Sequence, residues 1–146
     1  MNLAYRAIIF LHVASVIMSI GPFFILMPIV KKLPDAAGKE LEAYLATLKS
    51  AVRLSKHAGH VLIGTGVLLV ILGPWTWQTP WIIATLALLF ASLFFLARAF
   101  SPTLRKFAEE GANKIELSAK LKRTIWTYII LLMSMLWFMV VKPNLW

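Results

Sequence analysis

The stretch SKHAGHVLIGTG, residues 55 to 66, sets His57 and His60 three apart where a charged segment gives way to a long uncharged run. The only other histidine, His12, lies inside a second uncharged run, with Ser15 and Ser19 three and seven residues further on. Imidazole titrates near neutrality and is the commonest nitrogen ligand of metals and of haem iron. Three chemistries are therefore open to these residues. They could ligate a haem; they could move protons or bind copper, with Met18 or Met27 as soft thioether partners; or they could only hydrogen-bond neighbouring helices. Other chemistries are excluded. The chain has no cysteine, so disulfides, thiolate zinc sites and iron–sulfur clusters are out. The triplet GTG at 64 to 66 lacks the strand and lysine of a phosphate loop.

The elements that must position the histidines follow from composition. Of 146 residues, 60% are hydrophobic and 14% charged, against about half and about a quarter in soluble domains. Three stretches lack Asp, Glu, Lys and Arg: Ala7 to Val30, His57 to Ala97, and Thr124 to Val141. A hydrocarbon core of about 30 Å needs roughly 20 helical residues. The first and third stretches are then one span each and the middle one is two. Its fold point is GPWTWQTPW, residues 73 to 81, where Gly73, Pro74 and Pro80 interrupt a helix and three tryptophans suit the headgroup level. The fold class is all-α, a single integral membrane four-helix bundle with spans near 5–30, 57–73, 81–98 and 124–141. A signal peptide is the competing reading of the first span. Pro28, Lys31 and Lys32 stand where a cleavage site would be, which favours a retained helix.

The net charge of +9 is not spread like a nucleic-acid surface. Thirteen of the fifteen Lys and Arg, and all six acids, fall in residues 31–56 and 98–123. The positive-inside rule puts both segments in the cytoplasm and both termini outside a bacterial inner membrane, with anionic lipids as partners of the basic loops. No acid is left within a span to act as a general base or to couple ions, which disfavours hydrolase and transporter readings.

Local signals refine the spans. Gly21-Pro22 predicts a kink or opening in the first helix. Pro34-Asp35 reads as a turn and N-cap, followed by Leu41, Tyr44, Leu45, Leu48, Val52 and Leu54 at helical spacing. The second helix is thus expected to extend as an amphipathic cytoplasmic stem with one face on the bilayer surface. Ser101-Pro102 is expected to close the third helix, Gly111 to divide two short helical pieces, and Pro143 to stop the fourth helix.

His12, Ser15 and Ser19 share a helix face that must point into the bundle. Gly64 follows His60 by one turn, and Gly59 and Gly66, a heptad apart, form a strip for close approach that also permits a homodimer. With Arg6 as the outer boundary and Lys56 as the inner one, His12 and His60 differ in depth by roughly 15 Å. They are then not the two axial ligands of one haem, unless the Gly21-Pro22 break or a shifted boundary closes the gap. A haem on His12 would have Arg6 or Lys142 for its propionates; one near His60 would have Arg53, Lys56 or Arg98.

The segments LHVASVIMSIGPFF, VRLSKHAGHVLIGTGVLLV, FFLARAFSPTLRKF and MVVKPNLW resemble an uncharacterised family of small four-helix membrane proteins of Bacillus-type bacteria. More distantly, the Leu-His start of the first helix, the four-span layout and the terminal Lys-Pro look like the HemJ-type protoporphyrinogen oxidases and the membrane domain of CopD copper-resistance proteins. The likeness implies b-type haem and a functional histidine at His12. It departs at residues 81–85, WIIAT, where HemJ-type proteins carry a histidine and a lysine. Porphyrinogen oxidation is therefore not carried over. The expectation is a haem b protein of the bacterial inner membrane, for haem handling or electron transfer, with iron on His12 and a second site at His60 or His57. The alternative is an accessory or assembly subunit of a membrane complex, or a copper-related membrane protein.

Overall fold

The computed structural model describes residues 2–107, 109, 111 and 113–143. The first helix, α1, spans Leu3–Lys32 and is capped by the Asn2 side chain, which accepts from the Tyr5 N–H at 2.8 Å. It continues as one helix of 30 residues through Pro22 and Pro28. Pro22 has no N–H to give to the Met18 carbonyl. One residue on, the Ser19 carbonyl takes a hydrogen bond from the Ser55 hydroxyl at 3.0 Å, so a neighbouring helix supplies bonding at that level.

Leu33–Asp35 form a short 3₁₀ turn that buries Leu33, and Gly38, at φ +60°, opens α2, Gly38–Leu72. Asp35 is therefore not the cap expected from sequence. The 3₁₀ turn consumes it, and α2 starts on Ala37 with no side-chain cap. The stem is present as expected, since α2 is one helix of 35 residues. Its apolar face has a different neighbour, however. Leu45, Leu48 and Val52 are buried in the same core as Leu33, Leu104 and Phe107. The 3₁₀ turn and the end of the third span cover part of the face that the sequence suggested would lie on a bilayer, while Leu54 stays exposed.

The third span is longer than its turn signal implies. It begins as α3, Pro80–Phe95, widens into a π-helical turn at Leu96–Phe100, and runs on as α4, Ser101–Lys106. Pro102 sits in the first turn of α4, directly after the π turn. Gly111, at φ +73°, lies in the connection, but the second of the two short pieces expected around it is continuous with the last long helix. The last helix, α5, spans Lys114–Val141, ten residues more at its start than the charge-free run, because Asn113 caps the Glu116 N–H at 3.2 Å. It ends on Lys142 in the left-handed conformation, followed by Pro143.

These elements pack in the order α2, α1, α5, α3, with α2 and α3 meeting only sparsely. Phe23 of α1 anchors the centre, its ring 4.4 Å from Tyr128 of α5 and 5.7 Å from Phe100 of the π turn. At the open side of the bundle, a Cβ on Gly59 would stand 3.0 Å from Leu93 Cδ2. Glycine is what lets α2 and α3 approach there. All four long helices are long and apolar enough to cross a membrane. Their outward faces are apolar too: Ile25 is 69% exposed and Val140 71%. Water does not favour so much contiguous apolar surface.

Candidate functional site

His12 projects from α1 towards α2, and its Nδ1 lies 2.9 Å from the Thr65 hydroxyl. That hydroxyl has a single proton, and it back-bonds within α2 to the Val61 carbonyl at 2.8 Å. With the hydroxyl proton on the Val61 carbonyl, the oxygen can accept from Nδ1, the tautomer that places the lone pair on Nε2. A hydrogen bond at one ring nitrogen that fixes the other as a donor atom is the arrangement of protein-bound metal and haem ligands. Gly66 makes room beside the ring, since a Cβ there would be 3.4 Å from His12 Cε1.

The imidazole lines a cavity of about 480 Å³ between α1, α2, α3 and α5, at the end of the bundle that carries both termini. This volume is within the range of small-molecule sites, about 300–1,000 Å³. The lining is aliphatic except for a few groups. Met135 and Met139 contribute thioethers from α5, Trp75, Trp77 and Trp81 form the outer rim, and Lys142 supplies an ammonium there. The Thr85 hydroxyl also lines the cavity, but it donates to the Trp81 carbonyl at 2.6 Å and offers no proton inward. The cavity exists because α2 and α3 touch at Gly59 and Leu93 and stay apart nearer the termini.

The other residues singled out from sequence fall elsewhere. Ser15 and Ser19 are buried, as their shared face requires. The Ser15 hydroxyl donates back to the His12 carbonyl at 2.7 Å, whereas Ser19 Oγ has no hydrogen-bond partner among the described residues. Arg6 is exposed and does not line the cavity; Lys142 does. Gly64 faces open space, with nothing within 4 Å of a Cβ built on it. His57 and His60 are both exposed, and neither lines the cavity. Met18 is exposed and Met27 packs on the central core. Among the described residues, no three His, Cys, Asp or Glu side chains gather as a metal site.

The depth difference between His12 and His60 is smaller than the sequence suggests. Thr65 stands opposite His12, and His60 is five residues back along α2, about 7.5 Å along the axis and about 140° around it. The estimate of 15 Å took Lys56 as a membrane edge. Ser55, however, pairs with Ser19, near the middle of the apolar run of α1. The two histidines are separated by helix face as much as by depth.

Sequence reasoning missed Thr65, the partner that orients His12. The signal was available as a hydroxyl flanked by two glycines inside an apolar helix, in the triplet dismissed as a phosphate loop. Compared with family models, curated proteins and solved structures, the chain matches none of them.

Proposed function

We propose that this chain is a membrane-embedded b-type haem protein that holds the cofactor in the terminal-end cavity on His12 and serves haem handling or electron transfer. The observation that carries this reading is the half-buried imidazole, hydrogen-bonded at Nδ1 to Thr65, in the wall of an apolar cavity of about 480 Å³. When bound, the haem would supply the one-electron iron couple. The residues fit such a group. His12 would hold the iron, and Thr65 would orient the ring. Gly66 leaves space at the ring edge, the aliphatic lining excludes water, and Lys142 neutralises propionate charge at the rim. The likeness to HemJ-type proteins implies the same histidine.

The proposal includes the setting. The four long helices cross a bacterial cytoplasmic membrane with both termini outside, and the basic turns at the other end meet anionic headgroups. Because the chain has no cysteine, single-cysteine variants report sidedness cleanly. Asn2→Cys should react with an impermeant maleimide in intact cells and Lys39→Cys should not; the reverse pattern would invert the orientation. For the cofactor, protein purified from haem-replete cells should show a Soret band that His12→Ala removes. Colourless wild-type protein, or a band indifferent to His12, would defeat the reading.

A further inference from the structure

The His12 cavity does not end blindly at the terminal end. A second opening of about 690 Å³ adjoins it there, bounded by Asn2 and Ala4 on one side and Leu72, Gly73 and Pro74 on the other. The two spaces share Tyr5, Ile9, Trp75 and Lys142, so these side chains are a common wall. Among the described residues lining either space, Lys142 is the only charged one. Its Nζ lies 4.7 Å from the Trp75 ring centre and 5.5 Å from that of Trp81, in the corner made by two indoles 5.1 Å apart and nearly perpendicular. Gly73 is needed for the wall to close. A Cβ there would stand 2.7 Å from Tyr5 Oη and 2.5 Å from the Leu69 carbonyl.

Lys142 is exposed, and a cation on an indole face is held more weakly at such a site than a cation hydrogen-bonded to a carboxylate. An anion arriving in the outer space therefore draws the ammonium off the tryptophans. The uncovered indole faces are then free to stack against a flat apolar body following that anion.

We infer that this wall is an entry gate and Lys142 its latch and anchor. The ligand class is a flat, apolar molecule bearing carboxylates, admitted from the terminal-end space. The inference rests on the reading of the cavity as a haem site, and it names what that site selects and by which door.

The test uses full-length protein in nanodiscs of zwitterionic lipid, with metal-free protoporphyrin and its dimethyl ester as fluorescent probes. Neither probe needs an iron ligand. Wild type should bind the diacid in preference to the diester. Lys142→Met should weaken and slow diacid binding about tenfold and leave the diester unchanged, and Lys142→Arg should restore the diacid. Equal binding of diacid and diester by wild type, equal losses of both in Lys142→Met, or no binding of either probe would overturn the inference. Haemin titrations separate the two readings. Haemin binding that depends on His12 but not on Lys142 defeats the gate alone. Diacid binding that depends on Lys142, beside haemin binding indifferent to His12, defeats the iron site alone.

Discussion

His12 meets a hydroxyl, a glycine and a cavity; a turn and a half along α2 from that hydroxyl, His60 meets none of these, and neither does His57. All three imidazoles sit on long, apolar helices, so residue type and hydropathy do not distinguish them. Helix register does. α1 and α2 are paired so that Ser19 faces Ser55 and His12 faces Thr65, which turns His60 about 140° away from the α1 side of α2. A histidine on the shared face acquires a hydrogen-bond partner, while those on the outer face have none among the described residues.

The largest expected effect is the contrast between these two places. His12→Ala should abolish the Soret absorbance of purified protein, whereas the double variant His57→Ala/His60→Ala should keep it with band position unchanged. If the double variant loses the pigment and His12→Ala keeps it, the cofactor belongs to the exposed pair and the comparison is reversed.

A smaller effect should follow from Thr65, which touches the ring and not the proposed iron. Thr65→Val keeps the volume and removes the acceptor for the Nδ1 proton. Partners of this kind support affinity by about 10- to 100-fold. Haemin affinity should fall by an amount in that range and recover in Thr65→Ser. An unchanged affinity in Thr65→Val would show that the hydrogen bond does not orient the ligand.

The glycines offer a finer comparison on one helix. Gly66→Val should weaken haemin binding several-fold, because its first side-chain carbon already stands 3.4 Å from His12 Cε1. Gly64→Ala, two residues away and facing open space, should leave binding alone and raise thermal stability slightly, since replacing an interior helical glycine with alanine gains up to about 1 kcal/mol. Equal effects of the two substitutions on haemin would remove Gly66 from the site.

These contrasts also mark how far the residues alone lead. The four long apolar helices are legible because hydropathy and proline placement act locally, and Pro143 does follow the end of α5. The continuation through Ser101-Pro102 is not legible. Whether a proline ends a helix or opens a new first turn depends on the π turn before it, whose last residue, Phe100, packs on Phe23 of another helix. His12 stands out in the sequence because a titratable group in an apolar run is rare. Thr65, Gly66 and the cavity are fixed by inter-helix register, which one-helix periodicity does not encode. For that reason Gly64 looked as good as Gly66, and Arg6 as good as Lys142.

Beyond both histidine levels, five residues past His60 along α2, lies a serine pair that tests the register itself by the smallest effect. The Ser55 hydroxyl donates across the helix boundary to the Ser19 carbonyl at 3.0 Å, while Ser19 Oγ, buried at the same level, has no partner among the described residues. Two chemically identical truncations should therefore differ in sign. Ser55→Ala removes an inter-helix hydrogen bond, worth about 0.6 kcal/mol on average between membrane helices. Ser19→Ala removes a hydroxyl that is desolvated without compensation, so it should be neutral or stabilising by up to about 1 kcal/mol. Thermal unfolding in one detergent, with wild type alongside, should place Ser55→Ala below wild type and Ser19→Ala at or above it. The opposite order would mean that α1 and α2 are paired in another register. His12 would then face some residue other than Thr65, and the contrast between buried and exposed imidazoles would have to be rebuilt from that register.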